Sequence, residues 1–398
     1  MTKQLQEAYI VAATRTPIGK APRGMFKNVR PDDLLVRAIQ SAVAQVPRLE
    51  VNLIEDVIVG CAFPEAEQGL NVARMAVLLA GLPKTVGGVT INRYCASGLT
   101  AIAMAADRIR VGEAEVMIAA GTESMSMVPM MGHHASMNMN IFKDENIGMA
   151  YGMGLTAEKV AQQWKISREA QDAFSLRSHQ RAIAAQRSGE FKDETTPVDV
   201  IERIPNLESG KIEVKTRSVS QDEGARADTD LASLAKLRPV FAARGSVTAG
   251  NSSQMSDGAG ALILVSESIL KQFGLTPLGR FVSFAVRGVP PEIMGIGPKE
   301  AIPAACKAGG ITQDQIDWFE LNEAFAAQSL AVIQDLGLDP AKVNPMGGAI
   351  ALGHPLGATG AIRSATVIHA LRRKQLKYGM VTMCVGTGMG AAGIFERT

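Results

Sequence analysis

A chain of 398 residues is long enough to form two or three domains with substantial cores. Its composition, 46% hydrophobic and 20% charged, is typical of a globular protein. A formal net charge of +2 excludes binding of nucleic acid or of an anionic membrane over the whole surface, so only local basic patches can bind anions. The first seven residues have no apolar segment after a basic start, and no apolar run is long enough for a transmembrane segment. We therefore expect a cytoplasmic protein, with import into an organelle through another signal as the alternative.

Short apolar runs alternate with amphipathic segments in the first third of the chain. The pattern predicts strands at 8–13, 56–60 and 115–121, and helices at 31–46 and 72–80. Such alternation is typical of an α/β fold in which helices cover the faces of a mostly parallel sheet.

The alternation stops near residue 123. Methionines and His133-His134 crowd the next thirty residues, two amphipathic helices are predicted at 157–164 and 168–189, and a polar stretch runs to about 227. Alternation resumes near 247. We therefore predict three units: an N-terminal α/β half (1–122 plus 249–275), an inserted loop domain (123–248) and a C-terminal α/β half (276–398).

A weak internal repeat relates the two α/β halves. Three pairs of segments correspond: 56–61 with 317–322, 95–98 with 354–357, and 121–122 with 386–387. If the halves pack around a pseudo-twofold axis, equivalent loops meet. We then expect four polar side chains to lie close together: Cys95, Asn322, His354 and Cys384.

Cys95 lies where the short β-favouring run 89–91 turns into a helix. Free backbone N–H groups and the positive end of a helix dipole stabilise a thiolate, so this position predicts a lowered thiol pKa and a nucleophile. The alternative is an inert buried cysteine, which is the commoner role of a free thiol. The four cysteines show neither disulfide nor zinc spacing, so we expect reduced thiols and no metal.

His354 lies between glycines in the segment 353–360, and a helical pattern follows from Ile362 to Leu371. A neutral imidazole at the start of a helix can accept the proton of a thiol or donate to an oxyanion. Capping a helix is the commoner role of an isolated histidine. The flanking glycines, which let a ligand approach the backbone, favour catalysis here.

Cys384 lies in a predicted strand that ends in the glycine-rich segment 386–390. A dinucleotide-binding fingerprint needs a helix after its glycines, and only eight residues follow Gly390 in this sequence, so that interpretation fails. The carboxyl end of a strand is where α/β sheets bind ligands, and a second thiol there suits a general acid or base.

These motifs together resemble those of the thiolase family. The matching segments are Asn92-Arg93-Tyr94-Cys95-Ala96-Ser97-Gly98, Asn322-Glu323-Ala324-Phe325, 353–360 and 384–390, with further matches at 13–17, 153–158, 248–253 and 294–298. The resemblance covers essentially the whole chain. It implies a thiolase-like fold of two similar α/β halves in a layered α-β-α-β-α arrangement, with an inserted loop domain.

The resemblance also implies a mechanism. His354 would deprotonate Cys95, whose thiolate attacks the 3-keto carbon of a 3-oxoacyl-CoA. Cys384 would protonate the departing acetyl-CoA enolate and then activate the thiol of an incoming CoA. His354 and a water held by Asn322 would stabilise the enolate oxygen, and the amides of Cys95 and Gly386 the oxygen of the group on Cys95. CoA would be a co-substrate, with no tightly bound cofactor.

By the same resemblance, a further set of residues would bind CoA and the acyl chain: Arg226, Ser233, Phe241, Ala249, Ser253, Ala324, Phe325 and Met153. Arg226 is a fixed cation suited to a phosphate or to an adenine face. Lys211, Lys215 and Arg217 either extend this set or form a solvated surface. The methionines are core filler or the lining of a pocket that accepts varied acyl chains.

We therefore expect a degradative 3-ketoacyl-CoA thiolase that is broad in chain length. Gly152 stands where short-chain biosynthetic thiolases carry histidine, which leaves room for a longer chain. The main alternative is an acetyl-CoA acetyltransferase that makes acetoacetyl-CoA. The family implies a homodimer or homotetramer, in some members bound to a β-oxidation multienzyme partner.

Two other functions are compatible with a related fold. One is a decarboxylating ketoacyl synthase, but such enzymes place histidine where this chain has Cys384. The other is a non-catalytic carrier of acyl-CoA, which need not keep both cysteines, Asn322 and His354 together.

Overall fold

The computed structural model describes residues 5–398, so the first four residues of the N-terminal segment 1–7 considered above lie outside it. The strands are β1 Tyr9–Arg15, β2 Gly19–Lys20, β3 Asp56–Gly60, β4 Val89–Ile91, β5 Val116–Ser124, β6 Val198–Asn206, β7 Lys211–Val219, β8 Ser256–Val265, β9 Gly279–Gly288, β10 Trp318–Leu321, β11 Tyr378–Val385 and β12 Met389–Glu396. The helices are α1 Pro31–Gln45, α2 Val72–Leu79, α3 Ser97–Arg110, α4 Met153–Gln163, α5 Arg168–Arg187, α6 Leu231–Ala235, α7 Glu267–Phe273, α8 Gly297–Gly309, α9 Ala326–Leu336, α10 Ala349–Leu352 and α11 Leu356–Lys374.

Each half of the chain forms its own run of strands. The N-terminal run has the order β4-β3-β5-β8-β1, and the C-terminal run has the order β9-β12-β11-β10. In the C-terminal run, a parallel bridge between Phe319 of β10 and Val343 takes the position that β4 has beside β3 in the N-terminal run. The two runs join only at the start of β1, which pairs with β9 through two residue pairs. The predicted similarity of the halves is confirmed.

The prediction of a mostly parallel sheet is wrong. The connections from β3 through α3 to β5, and from β10 through α11 to β11, produce parallel pairs, as alternating elements lead one to expect. However, β8 is antiparallel to both of its neighbours, and so is β12. For β12 the reason is that β11 turns directly back into it without a crossover helix, which only an antiparallel pair allows.

The strand register corrects one part of the predicted repeat. Asp56 pairs with Met117 in the first half, and Trp318 pairs with Gly379 in the second, so paired residues are 61 apart in both halves, which is consistent with the predicted match of Asp56 with Asp317. The same register makes Thr382 the equivalent of Gly121. The predicted match of 121–122 with 386–387 is therefore wrong, because the glycine-rich end of β11 lies several residues further along its strand.

The layered arrangement is confirmed. Helices α3 and α11 pack against each other between the two runs of strands, while α1 covers the outer face of the first run and α8 that of the second. The central helices approach closely because glycines face each other across their contact. A Cβ on Gly360 would lie 2.1 Å from the amide nitrogen of Leu99, so no larger residue fits there.

The inserted segment contains α4, α5, α6 and a hairpin of β6 and β7. The sequence suggested only a polar stretch for that hairpin. Its second strand is exposed on both faces, so it lacks the alternation of a half-buried strand. Buried ion pairs from Arg15 to Glu194 and Asp222, both at 2.7 Å, fix the insertion to β1. The unit boundaries at 122/123, 248/249 and 275/276 remain a proposal.

No helix within residues 5–398 is long and apolar enough to cross a bilayer.

Candidate active site

The structure brings Cys95, His354, Asn322, Cys384 and Gly386 to one end of the central layer. Cys95 and His354 each lie two residues before a central helix, α3 and α11 respectively. Asn322 directly follows β10. Cys384 is the penultimate residue of β11, where it pairs with Gly390 of β12, and Gly386 directly follows β11. The pseudo-twofold arrangement thus places a residue of the first half among four residues of the second.

Cys95 is held in a tight turn before α3. Ser97 fixes this turn because its hydroxyl accepts from the Arg93 amide at 2.8 Å and donates to the Tyr94 carbonyl at 2.7 Å. The amide N–H groups of Gly386 and of Cys95 itself are near the thiol, and both lower its pKa. These are the two amides that the sequence analysis assigned to one oxyanion site.

The predicted lowering of the Cys95 pKa is wrong for the protein without substrate. Burial is the largest effect, and it raises the pKa of this thiol to about 12, more than the two amides lower it. The side chain is only 8% exposed, so little water stabilises a thiolate. The Cys95 thiol is therefore neutral at rest, and it can act as a nucleophile only after a base removes its proton.

His354 is buried, and its hydrogen bonds determine which ring nitrogen carries the proton. Thr359 Oγ1 donates to the Pro355 carbonyl at 3.0 Å, so it accepts from His354 Nδ1, which lies 2.6 Å away. Nε2 is then the unprotonated nitrogen, and it accepts from Asn322 Nδ2 at 3.2 Å. Burial, followed by the charge of Arg363, lowers the pKa of His354 to about 3. The imidazole is neutral and has its basic nitrogen in the site.

Asn322 has a second polar atom that no residue satisfies. Its Oδ1 is buried and has no hydrogen-bond partner among residues 5–398. An unpaired buried acceptor costs about 1–3 kcal/mol, so its retention points to a ligand or a water as partner. This agrees with the predicted role of Asn322 in holding a water.

Cys384 is 0% exposed and packs among Ala157, Val247, Met294 and Phe325. Burial raises its pKa well above that of an ordinary thiol, and the proximity of Cys95 raises it further. Like Cys95 it is a neutral thiol at rest. It can therefore donate a proton to a strongly basic carbanion.

Two residues important to the site were not identified from the sequence. Thr359 lies within a motif that was recognised, but its contact with the His354 ring was not predicted. Glu123 is the buried penultimate residue of β5, and its carboxylate accepts from the amides of Ala62 and Gly357, both at 2.7 Å. Since Gly357 lies in the first turn of α11, Glu123 fixes the start of the helix that follows His354. A carboxylate at a strand end was the available signal.

A cavity of about 600 Å³ opens at Cys95 and Gly386. Its wall includes Tyr94, Phe63 and Gly152, together with five methionines: Met130, Met131, Met137, Met149 and Met153. A Cβ built on Gly152 meets nothing within 4 Å, so glycine leaves open space at this point of the wall. Thioethers and aromatic rings give the cavity an apolar surface.

A second cavity, of about 360 Å³, contains three of the predicted CoA residues: Arg226, Ser233 and Ala249. Two others pack beside the site, since the rings of Phe241 and Phe325 meet edge to face at 6.0 Å. The Ser253 amide donates to the Ala324 carbonyl at 2.9 Å, which ties these two predicted residues together. Met153 lines the first cavity instead.

The three basic residues of the polar stretch lie elsewhere. Lys211, Lys215 and Arg217 belong to the exposed strand β7 and line neither of these cavities. Arg217 pairs with Glu202 at 3.1 Å, and Lys215 lies 3.9 Å from Glu213. They form a solvated surface. Residues 5–398 contain no group of three or more His, Cys, Asp or Glu side chains that could hold a metal ion.

Two family models together match nearly the whole chain: the thiolase N-terminal domain at residues 8–268 and the thiolase C-terminal domain at 275–397. The chain is 52% identical over 393 residues to a 3-ketoacyl-CoA thiolase of Bacillus subtilis, which covers 98% of this chain and 100% of that protein.

Solved structures of the same kind superpose closely. The acetyl-CoA acetyltransferase of Bacillus anthracis matches with a TM-score of 0.89 at 39% identity and covers 100% of both chains. A human mitochondrial 3-ketoacyl-CoA thiolase in complex with CoA matches with a TM-score of 0.88 at 39% identity, over 99% of this chain and 98% of that one. The dimeric peroxisomal thiolase of Saccharomyces cerevisiae gives 0.88 at 42% identity, again over 99% and 98%.

Proposed function

Because the chain belongs to the thiolase family, we propose that it catalyses the thiolytic cleavage of 3-oxoacyl-CoA by CoA, as an acetyl-CoA C-acyltransferase of fatty acid β-oxidation. The observation that carries this assignment is the convergence of two buried thiols with the neutral imidazole of His354 and the amide of Asn322. One thiol forms the acyl-enzyme, and the other transfers a proton to and from carbon.

The first step forms the covalent intermediate. His354 Nε2 removes the Cys95 proton as the sulfur attacks the 3-keto carbon. The keto oxygen becomes an oxyanion, and the amides of Cys95 and Gly386 stabilise it. Because burial disfavours an isolated thiolate, the proton leaves the thiol as the new bond forms, so negative charge moves directly to an oxygen that has donors waiting.

The carbon–carbon bond then breaks and releases an acetyl-CoA enolate. His354, now an imidazolium, and a water on Asn322 stabilise the enolate oxygen, while Cys384 donates its proton to the enolate carbon. The Cys384 thiolate takes the proton of an incoming CoA thiol, and the CoA sulfur attacks the acyl group on Cys95. Cys95 leaves as a thiolate and recovers its proton from His354, so every group returns to its starting state.

The same site would make acetoacetyl-CoA in reverse, and the likeness to an acetyl-CoA acetyltransferase keeps that function as the second candidate. The cavity at Cys95 favours longer acyl groups, because it is large, apolar and rich in flexible methionines. Gly152 supports this preference, since the space beside it is open.

An assay of CoA-dependent cleavage tests this proposal. Acetoacetyl-CoA and a long-chain 3-oxoacyl-CoA are compared side by side by loss of the enolate absorbance. Faster turnover of the long substrate supports the degradative function. Cleavage of acetoacetyl-CoA alone supports the acetyltransferase, and cleavage of neither supports a carrier.

A comparison of Gly152→His with Gly152→Ala tests whether this position determines the preference for long acyl chains. Histidine is expected to lower kcat/KM for the long substrate about 10-fold while leaving acetoacetyl-CoA within about 2-fold, because a large side chain fills the open wall. Equal losses on both substrates would show that Gly152 does not select chain length.

We also propose a homo-oligomer located in the cytoplasm. Strand β4 is the last in its run, and exposed apolar side chains surround that edge: Leu70, Met75, Leu78, Leu79, Val89 and Met104. Such an edge can pair with a second copy and bury this patch. Light scattering on the purified chain distinguishes a dimer from a tetramer, and a monomer at micromolar concentration would contradict the proposal.

A further inference from the structure

The cavity that contains Arg226 also has two basic residues without an assigned role. Lys20, at the end of β2, and His179, on α5, both line it. Asp228 is the only acidic residue among the described residues of its wall. The wall therefore combines two full positive charges and one imidazole with a single negative charge.

Within the described part of the chain, neither cationic group of this cavity has an anionic partner. Neither the Lys20 ammonium nor the Arg226 guanidinium forms an ion pair or a side-chain hydrogen bond with any of residues 5–398. They are close enough to His179 that both charges act on its ring. Unpaired like charges around one space repel each other, and an anion that binds between them removes this repulsion.

His179 is held in a single tautomer. Its Nδ1 accepts a hydrogen bond from the Arg226 amide at 3.2 Å, so Nε2 carries the proton. This Nε2 has no partner within the described chain, although the residue is only 5% exposed. Burial, then the charges of Arg226 and Lys20, lowers the pKa of His179 to about 4. The ring is thus a neutral hydrogen-bond donor rather than a third cation.

We propose that Lys20 and His179, together with Arg226, bind the phosphate groups of CoA. Two cations supply the charge that a phosphate oxygen requires, and the fixed N–H of His179 supplies direction. His179 has a second contribution, since it also fixes the backbone of Arg226. The inference rests on the proposed function, because the phosphorylated ligand is taken to be CoA.

Truncated thiols separate phosphate binding from other effects. KM is measured in thiolysis with CoA, with 3′-dephospho-CoA and with pantetheine as the acceptor. Lys20→Met is expected to raise KM for CoA about 10-fold and to leave KM for pantetheine unchanged. If the substitution does not raise KM for 3′-dephospho-CoA, Lys20 contacts the 3′-phosphate. If KM for 3′-dephospho-CoA also rises, Lys20 contacts the diphosphate. Equal increases with CoA and pantetheine would overturn the proposal.

Two substitutions of His179 separate its two contacts. His179→Asn keeps an acceptor for the Arg226 amide but loses the donor at Nε2, and His179→Gln keeps a donor near Nε2 but loses the acceptor. We expect the asparagine variant to weaken CoA selectively and the glutamine variant to retain tighter binding. The reverse order would mean that His179 only positions Arg226. Lys236→Met is the matched control, since Lys236 directly follows α6 but does not line the cavity.

Binding of adenosine 3′,5′-bisphosphate, measured by calorimetry, gives a readout that does not depend on catalysis. Weaker binding to Lys20→Met and His179→Asn than to the unmodified protein and to Lys236→Met supports the site even if no 3-oxoacyl-CoA is cleaved. If the protein cleaves 3-oxoacyl-CoA but all four proteins bind the bisphosphate equally, the inference fails while the proposed function stands.

Discussion

At the end of β5 the N-terminal half carries Glu123, and the equivalent position at the end of β11 in the C-terminal half carries Cys384. A second pair of equivalent positions also carries different residues: Cys61 directly follows β3 in the N-terminal half, and Asn322 directly follows β10 in the C-terminal half. One carboxylate oxygen of Glu123, Oε2, accepts from backbone amides of both halves, those of Ala62 and Gly357. Cys384 and the Oδ1 of Asn322 have no such structural bonds among the described residues.

The comparison shows that one copy of the repeat supports the site and the other supplies most of its chemistry. Cys95 is the exception, since it comes from the supporting half and faces the groups of the other. The strand register is the same in both halves, so these equivalent positions differ in the side chain that each one carries.

The largest expected effect follows from Cys384→Ala. Without its proton donor, thiolysis should fall at least ~1,000-fold in kcat, because an enolate carbon must then be protonated by water. Steady-state rates measure the loss, and alkylation of Cys95 by iodoacetamide checks that the site is intact. If condensation from malonyl thioesters persisted at the original rate, the chain would be a decarboxylating synthase.

Asn322→Ala and Cys61→Ala compare the second pair of equivalent positions. The asparagine variant is expected to lose about 100-fold in kcat, as for other single donors to an oxyanion. Cys61→Ala removes an equally buried side chain and should keep kcat within about 2-fold, with a cost only in stability. Similar losses in both would break the division of roles between the halves.

Glu123→Gln tests the supporting role. The variant keeps the volume, and its single oxygen can still accept from the amides of Ala62 and Gly357. Its N–H₂ then faces the two donors at the other carboxylate oxygen, the Phe63 amide and Gln68 Nε2, so the free energy of unfolding should fall by about 2 kcal/mol. Urea denaturation measures this change. Replacement of the exposed Glu113 by glutamine is the control and should cost less than about 0.5 kcal/mol.

Thr359→Val removes the acceptor of the His354 Nδ1 proton, so part of the protein adopts the tautomer with Nε2 protonated. We expect kcat to fall about 10-fold while KM stays constant, and Thr359→Ser to restore most of the rate. A loss that serine does not restore would assign Thr359 to packing alone.

The smallest expected effect is the absence of a pH transition. The Cys95 pKa lies near 12 and the His354 pKa near 3, so neither group changes its charge between pH 6 and 9. Alkylation of Cys95 in the protein without substrate should therefore rise steadily with pH, as the small thiolate fraction grows, and show no plateau. A plateau above pH 6 would show a preformed thiolate–imidazolium pair.

Motifs in the sequence were sufficient to find the residues that meet in the site. The segments around Cys95, His354, Asn322 and Cys384 each end a strand or begin a helix, and local patterns identify such positions. The layered fold followed from the resemblance and the repeat. By contrast, the direction of β8 and β12 depends on the two strands between which each of them lies. The alternation of strands and helices along the chain does not specify those neighbours.

The predicted direction of the Cys95 pKa shift was wrong for a related reason. A helix start lowers a thiol pKa, but burial raises it, and burial depends on packing by segments distant in the chain. The contacts of Glu123 with Gly357 and of His179 with Arg226 join residues that are far apart in sequence. Neither contact belongs to a local pattern.

Strand β8 lies between β1 and β5, yet it follows β5 only after the whole inserted segment, from Ser124 to Ser256. During synthesis at roughly 5–20 residues per second, the strands of the first half therefore wait on the order of 10 s for the strand that joins them. Over that interval the apolar edges of β1 and β5 are unpaired on the nascent chain. Production of this protein should consequently depend on chaperones that bind at the ribosome more than its final compact core suggests.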